Sequence, residues 1–183
     1  MLTAWGDESG SRPDLDPGAY LLAAALIEEA DLPVVRSTML EQQGNEDKVH
    51  WYSRDAARRS ELVEVVASLP VAAFCVVHEE IGATDRRHRR KCLEFLLPHL
   101  AAMPCAAMTF ESRANLDASD IATLQLLRSR RAIESNLRIS HVVGRDEPAL
   151  WVADAVCGAI VQSRIGQPKH LTRLGGSVEV HVI

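Results

Sequence analysis

The sequence predicts an α/β protein: a mixed β-sheet flanked by helices, with a helical insertion after the second strand. Three observations predict it. Apolar runs at residues 2–7 and 19–27 are short and close enough to pair as a hairpin. Residues 30–69 then read as a two-helix segment. From residue 71 onward strand-length apolar runs alternate with helix-period stripes, the order of a sheet covered by helices.

The first strand ends on Asp7-Glu8-Ser9-Gly10, and Ser11-Arg12-Pro13 opens a polar loop. Residues 30–43 read as a helix with Pro33 in its first turn. Lys48 to Tyr52 reads as a short extended piece, and Ser53 as the N-cap of a helix that Pro70 stops. Residues 71–77 form an apolar strand. Thr84 caps a helix over 85–102, with Leu93, Leu96, Leu97, Leu100 and Met103 as its stripe. Residues 105–110 form a strand that ends in Glu111. A helix from Asp117 or Ser119 to about Ile133, a strand over 137–143 and a helix from Pro148 to about Arg164 follow. A Gly-rich, basic loop leads to a last strand over 178–182.

With 183 residues, the chain suits a single domain over 1–183, in which 29–69 is the insertion. Hydrophobic residues make up 47% and charged residues 25%, an ordinary globular balance. Aromatics are only 4%, so Ala, Val, Leu and Ile must build the core. The net charge of −5 argues against a generic nucleic-acid coat, although Arg86-Arg87-His88-Arg89-Arg90-Lys91 forms a local basic run. A second is Arg128-Ser129-Arg130-Arg131, and Arg164, Lys169, His170 and Arg173 form a looser third. No apolar run approaches the ~20 residues of a membrane helix. The N-terminus shows no basic leader, so a cytoplasmic location is expected. Cys75, Cys92, Cys105 and Cys157 form no Cys-x-x-Cys pair and read as reduced core residues.

Three carboxylates sit where packing does not favour them. Asp7 stands at the end of an apolar strand, and Glu111 at the end of another. Asp154 is the single charge in the run Ala149 to Val161, on one helical face with Leu150, Cys157 and Val161. A carboxylate in an apolar stripe needs a cation or a buried Arg, and Arg113, Arg131 or Arg138 could supply the latter. Gly158, four residues on, would let this helix approach another backbone closely. If the three carboxylates converge, they make an all-oxygen site suited to Mg²⁺ or Mn²⁺.

Trp5-Gly6-Asp7-Glu8-Ser9-Gly10 resembles the opening of a large bacterial family known only as a domain of unknown function and marked by this Asp-Glu-Ser-Gly motif. The segment from Trp151 to Ile160 resembles that family's closing helix, an Ala-Asp pair followed by small and apolar residues. The resemblance implies an RNase H-like fold and nuclease-type metal chemistry. It matches Asp7 to the first-strand Asp and Asp154 to the last-helix Asp. Glu111 stands where such a fold carries its fourth-strand acid, with Glu in place of Asp, and Glu94 lies in the region of the helix-borne Glu. Lys48-Val49-His50 resembles a basic-His segment of the family, so His50 is a candidate contact to substrate or metal.

Two functions follow as expectations. One is a metal-dependent nuclease that hydrolyses phosphodiester bonds. In it Asp7, Glu111 and Asp154 bind Mg²⁺ or Mn²⁺, Glu8 or His50 steers water or the leaving group, and the Arg86 to Lys91 face holds substrate phosphates. The other is a non-catalytic nucleic-acid- or protein-binding module on the same fold, with Trp51-Tyr52 the stacking candidate. A nucleic acid is the expected partner, a membrane is not, and the chain is compatible with a homo-oligomer. No Gly-x-Gly-x-x-Gly, Walker loop or Gly-x-Ser-x-Gly supports a small-molecule enzyme, and Ser9-His50 is too little for a nucleophile pair.

Overall fold

A computed structural model of the protein describes residues 1–10 and 14–183; the expected loop start at 11–13 lies outside them. The strands are β1 (Leu2–Ser9), β2 (Ala19–Glu28), β3 (Val71–Glu79), β4 (Cys105–Glu111), β5 (Arg138–Val142) and β6 (Val178–Val182). They form one mixed sheet in the order β5-β4-β1-β2-β3-β6. β1, β2 and β3 are antiparallel neighbours, while β4 and β5 run parallel to β1, and β6 parallel to β3. Ala19 to Ile27 is buried along its whole length, because β2 lies mid-sheet with helices on both faces.

The helices are α1 (Leu32–Glu41), α2 (Ala56–Ser68), α3 (Asp85–Ala102), α4 (Asp117–Ser129), α5 (Ala149–Arg164) and α6 (Lys169–Leu174). Strand periodicity sorts the sheet side chains between two cores. Trp5, Leu21, Ala23, Ala25 and Ile27 pack on the face covered by α5, with α1, α2 and α6 around it. Ala4, Leu22, Ala24, Phe74 and Phe110 pack on the face covered by α3 and α4. From Ala149 to Val161 α5 is apolar all round apart from Asp154, and is accordingly the buried central helix of its layer. The four cysteines are buried and free, as read.

Several boundaries differ from expectation. β1 runs on through Ser9 instead of turning after Asp7. The helix after Ser53 starts at Ala56, and Asp55 is its cap, accepting a hydrogen bond from the Arg58 N–H. Ser53 closes a 3₁₀ turn, Trp51–Ser53. α4 stops at Ser129, and Arg131 beyond it takes a left-handed φ of 57° that no helix can continue through. The basic loop after α5 contains the short helix α6, which carries too few residues for a periodic signal. Gly158 opposes a side chain and not a backbone: a Cβ there would meet the Trp51 ring at 2.2 Å.

Candidate active site

A cleft of about 240 Å³ opens where β1 and β4 end beside α5. Asp7, Glu8, Glu111 and Asp154 all line it, together with Lys48, His50 and Arg113. The expected convergence of two strand ends and a helix therefore occurs. β1 and β4 are parallel neighbours, so their C-terminal ends lie side by side. α5 crosses the same end, and Cys157 Sγ reaches the Asp7 carbonyl at 3.4 Å.

Asp7 and Glu8 alternate across the sheet. Asp7 lies on the α5 face, and its pKa stands well above the usual carboxylate range. Burial is the main cause, followed by the nearby charges of Asp154 and Glu8. Among the described residues no cation lies within ion-pair distance of Asp7.

Glu8 turns to the α3–α4 face. Arg89 Nη1 is 2.7 Å from Glu8 Oε2, and Arg113 Nη1 comes within 2.6 Å of Oε1 without hydrogen-bond alignment. Arg89 is itself buried. It donates a fork to both Asp120 oxygens at 2.9 and 2.7 Å and lies 4.6 Å over the Phe110 ring. His141 Nε2 closes the chain at 3.0 Å from Asp120 Oδ2.

The other two carboxylates are held by the segment between β2 and β3. Lys48 Nζ donates to both oxygens of Glu111, at 2.9 and 2.8 Å. Glu111 also packs on Gly144, where a Cβ would stand 2.3 Å from its carboxyl carbon. Asp154 Oδ1 lies 3.0 Å from His50 Nδ1, and its Oδ2 accepts the Trp51 N–H at 2.6 Å. The bond to Asp154 raises the His50 pKa above its ordinary value, against the burial of the ring.

The partner of Asp154 is thus His50 with a backbone N–H, and none of Arg113, Arg131 or Arg138. Arg113 belongs to Glu8 instead. Glu94 lies outside the cleft, pairing with Arg90 and Lys91 along the outer side of α3. Trp51 is fully buried and cannot stack on a ligand, whereas Tyr52 is exposed at the cleft. Most of the third basic cluster is paired or buried: Arg164 pairs with Asp16 and Glu79, Arg173 with Glu64, and His170 is buried, while Lys169 is exposed. The sequence reading missed Arg89, Asp120 and His141 as a unit. The signal was available, since Arg89 falls on the stripe of Leu93, Leu96, Leu97 and Leu100, and Asp120 on that of Leu124 and Leu127.

Carboxylates alone face the cleft as anionic donors, which suits a hard divalent cation over zinc or copper. Asp7 and Asp154 fit such an ion, because their charges oppose one another and, among the described residues, no cation is paired with Asp7. Glu111 fits only once it exchanges Lys48. Accordingly, among the described residues no group of three or more His, Cys, Asp or Glu side chains is arranged to hold a metal as it stands.

The architecture is shared with solved ribonucleases H. RNase HII in its PCNA complex from Archaeoglobus fulgidus superposes with a TM-score of 0.62 at 12% identity, over 94% of this chain and 79% of that one. The ribonuclease H2 of Pyrococcus horikoshii gives 0.51 at 10% identity, over 95% of this chain and 75% of that one. Bst-RNase HIII in complex with Mn²⁺ also gives 0.51 at 10%, over 90% of this chain and 53% of that one. At such identities the likeness establishes an RNase H-like fold and nothing finer. No protein-family profile and no curated protein matches the sequence. Among the described residues no helix is long and apolar enough to cross a membrane.

Proposed function

We propose that the protein is a divalent-metal-dependent nuclease that hydrolyses phosphodiester bonds, and that it belongs to the Asp-Glu-Ser-Gly family its termini resemble. The observation that carries the reading is Asp7: a half-buried carboxylate at a strand end, beside Asp154 and Glu8, with no ion-pair partner among the described residues. Burying an uncompensated charge is costly, and a fold keeps such an arrangement where a ligand supplies the opposite charge. The Mn²⁺ complex of a fold neighbour supports the choice of ion.

Asp7 and Asp154 would hold Mg²⁺ or Mn²⁺, joined by Glu111. The bound ion would supply Lewis-acid polarisation of water and of a phosphoryl oxygen. The rest of the work falls to the chain's own groups. His50 keeps a proton on Nδ1 through Asp154 and presents a half-exposed ring at the cleft edge, placed to exchange a proton with water or with the leaving oxygen. Arg113 is half exposed at the mouth and only loosely aligned on Glu8, so it can turn to a phosphate. Glu8, fixed by Arg89, sets the charge behind Asp7 and does not move.

The test is incubation of labelled duplex, single-stranded and hybrid substrates with Mg²⁺ or Mn²⁺. Cleavage that requires the ion and disappears in Asp7→Asn and Asp154→Asn is expected. Repeated absence of cleavage on all three substrates, with the wild-type fold intact, would replace the nuclease with a binding module.

A further inference from the structure

A second cavity, of about 300 Å³, lies at the N-terminal end of α3, lined by Thr84, Arg86, Arg87, Arg90 and Ser119. Its three arginines crowd into little more than one helical turn, in a chain whose net charge is −5. Only Arg87 is well neutralised, with its Nε on both oxygens of Glu80 at 2.9 and 2.7 Å. Arg90 reaches Glu94 at 3.8 Å, which is weak, and among the described residues Arg86 has no ion pair. The Thr84 hydroxyl accepts the Arg87 N–H and still has its own proton to give, and Ser119 adds a second hydroxyl from α4.

The position ties this cavity to the cleft. Arg89, between Arg86 and Arg90, turns inward and contacts Glu8 on the cleft wall. Residues three and four apart on a helix are neighbours at about 5–6 Å. Arg86, three residues before Arg89, therefore stands beside it on the helix that carries the Glu8 contact, and Arg90 follows it directly.

We propose that Arg86 and Arg90, with Thr84 and Ser119, form a backbone-phosphate subsite for the nucleic acid whose reacting bond lies in the cleft. The inference rests on the nuclease reading above. Guanidinium forks match phosphate oxygens in pairs, and hydroxyls are standard phosphate donors. Base stacking contributes little to holding a strand, because among the described residues Tyr52 is the one exposed side chain of the Trp, Tyr and Phe set. Affinity must come mainly from phosphates, and this patch adds incompletely paired cations to Arg113 at the cleft mouth.

The experiment is fluorescence anisotropy of the full chain with labelled duplex and single-stranded DNA in EDTA, which separates binding from cleavage, over a series of salt concentrations. Each phosphate contact contributes about −0.9 to the slope of log K against log salt for duplex DNA. The Arg86→Ala/Arg90→Ala double variant is expected to bind roughly tenfold more weakly, with a slope shallower by about two contacts, whatever the base sequence. Arg173→Ala, on the other face of the sheet, is expected to bind as the wild type does. Unchanged slope and affinity in the double variant, beside wild-type binding or cleavage, would remove the subsite and leave the nuclease reading standing. A wild type that neither binds nor cleaves nucleic acid would remove both. Both arginines are exposed, so the substitutions leave the core untouched, and Arg86→Lys/Arg90→Lys should keep the slope while losing part of the affinity.

Discussion

A Cβ at position 158 would stand 2.2 Å from Cγ of Trp51 and 2.3 Å from Cδ2, well inside any tolerable contact. Helix propensity alone favours Ala over Gly by about 1 kcal/mol in a helix interior. Overpacking a rigid core costs about 1–3 kcal/mol, and Trp51 is fully buried with little room to retreat. The steric cost wins by up to about 2 kcal/mol, so Gly158→Ala should lower Tm by up to about 8 °C at roughly 2–4 °C per kcal/mol. A higher Tm in a thermal melt would show that the indole can move. His78 gives a second prediction at this scale. Its Nδ1 lies 2.7 Å from that of His88, so one ring must donate and the other accept. Burial, then the charge of His88, lowers its pKa, and Glu80 at 3.7 Å only partly opposes this. A folded value below the unfolded ~6.5 means that the unfolded chain takes up the proton first. The stability is therefore whole above about pH 6.5 and is lost as the pH falls below it. Between about pH 7.5 and 5.5 the wild-type Tm should fall more steeply than that of His78→Gln. His170, also depressed by burial, titrates in both proteins and cancels in the comparison. Equal slopes would take His78 out of the acid response.

The packing of α3 and α4 on the sheet turns on one buried charge network. Arg89 joins α3 to α4 through Asp120 and to β1 through Glu8, and His141 adds β5. Replacing Arg89 by Met leaves Asp120 with only His141 and Glu8 with only the half-exposed Arg113, a loss of about 3–5 kcal/mol. Urea unfolding should report it, and Arg89→Met/Asp120→Leu should recover a large part. A loss below about 1 kcal/mol in the single variant would mean that water enters the network. This network was readable in principle, since one charge on each apolar stripe of two neighbouring helices implies an ion pair. The same logic, applied to Asp154, did find a half-buried charge, but the arginines it offered as one alternative are not its partners. Its true partners arrive on the β2–β3 connection, and a loop brought back by folding leaves no periodic trace in the sequence. That connection also delivers Lys48, which competes with any cation for Glu111. The pair is about one-third exposed, so screening discounts it to about 1 kcal/mol. Lys48→Met should bind Mn²⁺ roughly five- to tenfold more tightly by calorimetry. Weaker binding would mean that Lys48 helps to hold the site.

At the scale of the whole molecule, topology assembles the cleft. β1 lies between β2 and β4, β4 runs parallel to it, and α5 covers the end they share. Apolar runs and their order therefore sufficed to expect the sheet, and the strand ends they imply put Asp7 and Glu111 on the same cleft as Asp154. Glu94 was misplaced because helical position alone does not say which side of α3 faces the sheet end. The convergence has a thermodynamic consequence. Without a cation, Asp7, Glu8 and Asp154 repel one another, and burial raises the cost of charging Asp7. In EDTA, Asp7→Asn removes that charge at nearly constant volume, so its Tm should exceed the wild type's by about 2–4 °C for each ~1 kcal/mol relieved. A ligand that binds only the folded state adds about 2.7 kcal/mol at a hundredfold excess over Kd. With Mn²⁺ at that excess the wild type should gain about 5–10 °C, and Asp7→Asn far less. The order of the two proteins then reverses, which neither a simple stabilising substitution nor nonspecific ion effects can produce. If the two melting temperatures rise in parallel with Mn²⁺, the ion is not bound at Asp7, and the charge in the cleft must be met by another group.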